Sequence, residues 1–486
     1  MNNVRNKIMS GLLWTYMERI AAQLVSLGVT VILARILSPK EYGVIAIVTI
    51  FTEISNVIVV HGFGTALIQK EKPSSEDYST IFYANMIITF SLYGLLILFA
   101  PAIAQFYKMD QLTPVLRVLG VQMPIAGISS VQQSFISKKM EFKKFFFSTI
   151  IGTVISAVVG ILMAYKGFGV WALVAQLLTN RVIDTIILSF TSGWKLTKEF
   201  SLVSLKALVS YSWKITASSF LITIYDNIRG LVIGKKYTAD DLAFYNKGRH
   251  FPNLIAGNIN TSISKVLFPA LSNEQKNISN VLSMTRRAIK ESTYILTPLL
   301  FGLAACSNSF VTVFLTEKWM PIVPYLRVMC IVYALQPMQT ASIQAFKSVG
   351  KSGVYLKLEI IKKILNILII LISLFAFNNV FIVALGALLA ELVSTVINIP
   401  ANKKLFGYNY LDQVKDIASP FALSSTMFLV VFGAEYLVGK GLICLILQII
   451  IGGFFYIGIS MLFKMESFIY TKDIIKGLIN KKKGQA

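Results

Sequence analysis

The sequence predicts an all-α integral membrane protein of about fourteen transmembrane helices, built as two six-helix parallel repeats plus a C-terminal helix pair. Three observations predict it. Of the 486 residues, 55% are hydrophobic and only 14% are charged, against roughly 25% charged in a soluble globular chain. The apolar residues form runs approaching the ~20 residues that cross a bilayer as a helix, most plainly over 86–100, 150–165, 364–377 and 442–463. Segments of the first half also recur, in the same order, about 200 residues later.

Hydropathy places the helices at about 9–36, 42–69, 78–105, 112–137, 145–166, 169–192, 208–234, 243–271, 288–315, 322–347, 356–377, 380–402, 415–438 and 441–463. Several are only moderately apolar, which suits helices lining a wet cavity better than helices facing lipid. The start does not read as a cleavable signal, because the run after residue 9 carries Glu18 and Arg19 and continues beyond Thr30. Basic residues follow the even-numbered helices: Lys70 and Lys72; Lys138, Lys139, Lys143 and Lys144; Lys195, Lys198 and Lys206; Lys276, Arg286 and Arg287; Lys347 and Lys351; Lys403 and Lys404. Only scattered lysines follow the odd ones. The positive-inside rule therefore puts the even loops and both termini in the cytoplasm.

The net charge of +23 would suggest nucleic acid in a soluble protein. Here the lysines lie between apolar runs, so anionic headgroups and topology explain them, and no nucleic acid partner is expected. Cys306, Cys330 and Cys444 form neither a disulfide framework nor a CxxC pair, and His61 and His250 lack partners for a zinc site. No metal site is expected.

The repeat rests on three matches. The run 31–43 corresponds to 231–243, each with an apolar helix end, a basic residue, and a Ser38 or Thr238 followed three residues later by Glu41 or Asp241, as in a capping box. Leu116-Arg117-Val118 with Gln133 and Phe135 corresponds to Leu326-Arg327-Val328 with Gln344 and Phe346, and Trp14 and Trp213 open the two copies. Six helices per copy makes the halves parallel repeats. The expected lobes are 1–200 and 201–405, with the terminal pair and a basic cytoplasmic tail over 406–486.

The run from Leu33 to Gly43, LARILSPKEYG, resembles a signature of Wzx-like oligosaccharide flippases, the polysaccharide-transport branch of the MOP superfamily. The run 63–70, FGTALIQK, resembles that family's segment at the end of the second helix, and Glu317-Lys-Trp319 with Pro324 and Leu326 resembles the colanic-acid and teichuronic-acid exporter group. The resemblance covers essentially the whole chain. It implies a MOP/MATE-like fold in a bacterial inner membrane. It also implies a cargo of undecaprenyl pyrophosphate carrying a short sugar repeat unit, flipped from the cytoplasmic to the outer leaflet. Expected partners are that lipid-linked oligosaccharide, membrane lipids, and a polysaccharide polymerase with glycosyltransferases.

An ionised side chain at mid-bilayer costs about 2.5–3.5 kcal/mol on insertion scales, so it should face a cavity or a partner. At 100° per residue, Tyr16, Arg19, Gln23, Ser26 and Thr30 share one face of the first helix, and Tyr211, Lys214, Ser218, Tyr225 and Arg229 share one face of the seventh. Tyr245, Arg249, Asn253, Asn260 and Ser264 do so in the eighth, and Thr49, Thr52, Glu53 and Asn56 in the second. The first two helices of each half are therefore expected to line a shared cationic cavity. Substrate contacts are expected from Arg19, Lys214, Arg229, Arg249, Tyr16, Gln23 and Asn253. Arginine can grip phosphate oxygens with two donors, and lysine acts as a point charge. The competing reading is that such groups satisfy one another or snorkel to headgroups, which suits Arg35, Lys235 and Lys236 at helix ends.

Interior carboxylates are Glu18, Glu53, Asp184, Asp226, Glu359 and Glu391. A carboxyl in low dielectric can carry a proton, so Glu53 and Asp226 are the candidates for coupling to H+ or Na+. Asp226 could instead pair with Arg229 one turn away. No other cofactor is expected, and ATP is not: Gly350-Lys351-Ser352 resembles a phosphate loop, but Ala345 stands where its first glycine is needed. No GxSxG elbow or large loop suits an enzyme. A MATE-like secondary exporter of small molecules and a lipid II flippase remain as alternatives. Two segments read as interfacial, the linker 194–208 and a tail in which Phe468, Ile469, Ile474, Ile475, Leu478 and Ile479 alternate with lysines.

Overall fold

A computed structural model describes residues 2–473, which contain helices and no strand. They fall into two compact units, Met1–Ala243 and Phe244–Ala486.

The first unit holds α1 (Asn2–Ile36), α2 (Pro39–Asn56), a π-helical stretch (Val57–Gly64), α3 (Thr65–Gln69), α4 (Ser75–Tyr107), α5 (Leu112–Leu119), α6 (Gln122–Lys139), α7 (Lys143–Tyr165), α8 (Val170–Ser192) and α9 (Leu202–Lys236). Helix α7 packs against α8 and α1, α4 against α6, and α9 against α2, α4 and the π-helical stretch. From the boundary onward run α10 (Ala239–Asn273), α11 (Ile278–Ala305), α12 (Ser307–Phe310), a second π-helical stretch (Val311–Leu315), a 3-10 turn (Glu317–Trp319), α13 (Ile322–Ala334), α14 (Gln336–Ser348), α15 (Ser352–Phe375), α16 (Val380–Phe406), α17 (Tyr410–Val438) and α18 (Leu442–Leu462). In the second unit α11 packs on α13 and α17, α16 on α13 and α15, and α17 on α18.

Each of the fourteen expected segments falls on helix. Several are broken: the second comprises α2, the π-helical stretch and α3, the fourth α5 and α6, and the tenth α13 and α14. Among the described residues eight helices are long and apolar enough to cross a membrane, and a ninth span is α11 with the segment Ser307–Leu315, bent by 70°. Helices α9, α10 and α15 fall short of that composition because polar and charged residues interrupt them.

Both expected capping boxes form. Glu41 reaches back to the Ser38 amide at 2.6 Å, and Asp241 to the Thr238 amide at 3.1 Å. Each carboxylate also accepts from its own Ser38 or Thr238 hydroxyl, at 3.0 and 2.7 Å. These two turns, matched in the repeat, pack together at Gly43, where a Cβ would lie 2.0 Å from the Ala239 carbonyl oxygen.

The linker after α8 is held to α4 by hydrogen bonds. Thr197 bonds Ser79 and accepts at its carbonyl from Tyr83, Ser201 donates its amide to Thr80, and Ser204 donates to Asp77. Trp194 packs on Phe82 at 5.7 Å. At the other end, a short helix over 466–473 carries Phe468 and Ile469. Phe468 packs against a core cluster that includes Tyr294, Met427 and Tyr456. Ile474, Ile475, Leu478 and Ile479 lie outside the described residues.

Candidate functional site

In the first unit the predicted cations stand on long helices. On α1, Tyr16 and Arg19 are exposed and Gln23 is half-buried. Arg19 makes no ion pair among the described residues. On α9, Lys214 is exposed, with its ammonium 5.9 Å from the centre of the neighbouring Trp213 ring. Arg229 is half-buried, and its Nε is buried with no hydrogen-bond partner among the described residues. Asp226 is exposed and forms no ion pair with Arg229 among those residues. Glu53 accepts a 3.1 Å bond from Asn227 Nδ2, which joins α2 to α9. That bond leaves Glu53 an amide partner rather than a cation.

In the second unit Arg249 is half-buried and its Nε donates to the Tyr333 hydroxyl at 3.1 Å. Asn253 is exposed. The remainder of the α10 stripe is interior: Tyr245 is buried, Asn260 donates to Gln336 at 2.8 Å, and Ser264 accepts from Gln344 at 3.2 Å. Part of that polar face therefore joins α10 to α14. Helical phase finds such a stripe but cannot separate a wet wall from a seam between helices.

The cations at helix ends serve structure. Lys235 donates to the Phe106 carbonyl at 2.6 Å near the C-terminus of α4, where a positive charge meets the negative end of the helix dipole. Lys138 does the same for α3, donating to the Ile68 and Lys70 carbonyls at 2.8 and 2.6 Å. Arg327 bonds the Ser307 hydroxyl at 2.9 Å and lies 5.0 Å from the Phe432 ring.

Sequence reading passed over Arg181, in the middle of α8. It stands one turn before Asp184, which lies near Ser148 and Glu18; Glu18 in turn accepts from Thr149 at 2.9 Å. An arginine and an aspartate three apart inside the apolar run 170–192 was the available signal. It also passed over Gln339, which bonds Glu391 from another helix.

Residues 32–324 match the family described as Polysaccharide biosynthesis protein. The chain belongs to that family. Relatives of this polysaccharide biosynthesis protein match it along most of its length. The teichuronic acid biosynthesis protein TuaB of Bacillus subtilis is 24% identical, over 90% of this chain and 90% of its own. Among solved structures, the lipid II flippase MurJ in an inward closed conformation superposes with a TM-score of 0.75 at 15% identity, covering 96% of this chain and all of its own. An inward-facing multidrug resistance MATE family transporter of the MOP superfamily superposes with a TM-score of 0.62 at 13% identity, over 82% and 98%. At those identities the likeness is one of fold. This polysaccharide biosynthesis protein is thus a multi-pass membrane protein with the helical fold of MOP superfamily transporters, as its LARILSPKEYG run suggested.

Proposed function

We propose that this chain flips a lipid-linked oligosaccharide, undecaprenyl pyrophosphate bearing a short sugar repeat, from the cytoplasmic to the outer leaflet of a bacterial inner membrane during cell-surface polysaccharide synthesis. The observation that carries the reading is Arg229, a guanidinium inside the long, polar-interrupted helix α9 of a polysaccharide biosynthesis family member, with a buried Nε that no described residue engages. A planar fork of donors suits phosphate oxygens. Lys214, Arg19 and Arg249 add positive charge along α9, α1 and α10, and Tyr16, Gln23 and Asn253 supply groups that hydrogen-bond sugar hydroxyls. The transport cycle is alternating access through a cationic cavity, with the lipid tail left in the bilayer.

With the cytoplasm negative, outward movement of an anion gains about 2.3 kcal/mol per charge per 100 mV. A proton or sodium gradient adds to this where a carboxylate such as Glu53 or Asp226 changes charge during the cycle. Glycosyltransferases that build the cargo and a polymerase that uses it after flipping are the expected partners.

The test is purified protein in vesicles with a fluorescent undecaprenyl-pyrophosphate oligosaccharide, reading leaflet exchange by quenching. Wild-type vesicles should move the lipid. Arg229→Gln and Arg249→Gln should each slow it by about ten- to a hundredfold, the loss of one charged hydrogen bond of roughly 1.5–3 kcal/mol, without loss of folded protein. Exchange of small cations with no lipid movement would instead assign a drug-type exporter, and preference for lipid II would assign the other flippase activity.

A further inference from the structure

The first unit holds an apolar groove of about 360 Å3 where α2, α4 and α9 meet, lined by Phe51, Leu92, Leu95, Phe99, Ile103 and Phe220. Its residues on α4 follow one helical face from Leu92 to Ile103. At 1.5 Å per residue they span about 16 Å. Leu95 and Phe99 are more than half exposed, so the groove is open on one side. An α-helix is about 10 Å across and needs several times this volume, whereas a single hydrocarbon chain does not. A length of about 16 Å is also the depth of one leaflet of a ~30 Å hydrocarbon core.

These three helices each carry a lysine at the same end. Lys40 lies in the first turn of α2, Lys108 caps α4 in the left-handed conformation, and Lys235 lies in the last turn of α9. The ends meet. Lys235 donates to the Phe106 carbonyl at 2.6 Å, one turn beyond Ile103, and a Cβ at Gly234 would lie 3.2 Å from Ile47 Cδ1. All three lysines are exposed, and none forms an ion pair among the described residues. Of the carboxylates at this end, Glu41 and Asp241 bond their own capping turns. Asp110 and Asp240 form no ion pair among the described residues. An ammonium has three donors, so Lys235 keeps two beyond its bond to Phe106. These lysines belong to the scattered set after the odd-numbered helices, which the positive-inside rule does not explain and whose side it assigns to the outer leaflet.

We propose that the groove holds one acyl chain of an anionic phospholipid from the leaflet at this end, with the lipid phosphate held by Lys40, Lys108 and Lys235. The chain lies along α4 and covers Leu95 and Phe99. The phosphate accepts charge-assisted hydrogen bonds from ammonium groups that no described carboxylate has taken. The lipid thereby fills a gap that α2, α4 and α9 leave open between them. An undecaprenyl tail is several times too long for the groove, so the occupant is a membrane phospholipid and not the proposed cargo. The site does not depend on the proposed function.

Photolabelling tests this on the full-length protein in phosphatidylcholine vesicles. One set carries a trace of phosphatidylglycerol with a diazirine midway along an acyl chain, and the other the same diazirine on phosphatidylcholine. After irradiation, peptide mass spectrometry locates the adducts. The phosphatidylglycerol probe should label 51–58 and 92–103, and unlabelled phosphatidylglycerol should displace it. A lysine near anionic lipid favours it about fivefold, so three should make the anionic probe label the groove about a hundredfold more than the other. Lys235→Gln should cut that ratio about fivefold, and adding Lys40→Gln and Lys108→Asn should bring it near one. Leu95→Trp fills the groove from its open side and should remove the groove adducts while those elsewhere remain. Adducts spread evenly over other helices such as α18, or equal labelling by the two probes, overturn the site. Stronger displacement by undecaprenyl phosphate than by phosphatidylglycerol also overturns it and gives the groove to the cargo. Should the lysine variants not fold, the wild-type adduct map and the probe ratio still decide the question.

Discussion

Gly43 shows how one residue can join two repeated turns. A Cβ there would lie 2.0 Å from the Ala239 carbonyl oxygen and 2.5 Å from its carbon, both rigid backbone. Gly43→Ala should therefore lower stability by about 1–3 kcal/mol, the usual cost of forced overpacking, read as a fall in the detergent melting temperature. An unchanged melting temperature would mean that the two turns separate freely. The final glycine of LARILSPKEYG is thus explained by contact, which the motif alone could not show. The same scale sorts the charges. Arg19, Lys214, Arg229 and Arg249 were legible because cations inside apolar runs stand out in any sequence. Their surroundings were not legible: Arg249 leans on Tyr333, Glu53 is held by Asn227, and Asp226 does not pair with Arg229 despite the favourable spacing. Arg181 was missed although its neighbour Asp184 lies one turn along the same helix; the groups that surround Asp184 sit on α1 and α7.

At the scale of elements, the ends of α11 and α17 are tied by a buried aspartate. Asp416 accepts from Arg286 Nε and Nη2 at 2.7 and 2.9 Å and from the Tyr408 hydroxyl at 2.6 Å, with Lys290 at 3.7 Å. Lys290 also bonds Glu466 at 2.9 Å, and Arg287 stacks 3.5 Å from the Tyr470 ring, which holds the segment 466–473 to α11. Sequence reading took Arg286 and Arg287 as topology charges. They are also structural, because an arginine near a helix end can serve a headgroup and a carboxylate with the same donors. Asp416→Leu should cost on the order of 3 kcal/mol, since it strands a partly buried guanidinium, and should free the terminal segment to proteolysis. An intact terminus and unchanged melting would count against the tie. Burial, then the hydrogen bond to Asp416, push the Tyr408 phenol well above its usual value. A raised acid stabilises the fold below its unfolded value of about 10 and loses that contribution above it. Unfolding midpoints should therefore hold through neutral pH and fall in strong alkali, and Tyr408→Phe should flatten that fall.

For the whole molecule the open question is orientation. The loop at Lys72 follows the second span and the loop at Lys166 follows the fifth, and the positive-inside rule assigns them to opposite sides. The native cysteines Cys306, Cys330 and Cys444 are free and buried, so they give little background. In intact cells a membrane-impermeant maleimide should label Lys166→Cys and spare Lys72→Cys until the membrane is opened. Labelling of both from outside, or of Lys72→Cys alone, would overturn the cytoplasmic placement of the even loops.

The fourteen helical segments, the capping boxes at Ser38 and Thr238 and the identity of the interior charges could all be read from the chain alone. Each is a property of neighbours along it: apolar run length, residue spacing, and a charge among apolar residues. Only the tertiary structure decided that α2 passes through a π-helical stretch, that the linker binds α4, that Gly43 meets Ala239, and that part of the α10 stripe is a seam with α14. Those features depend on which helix lies beside which. A residue's partner across a helix interface is set by packing over the whole unit, and one-dimensional periodicity does not carry that information.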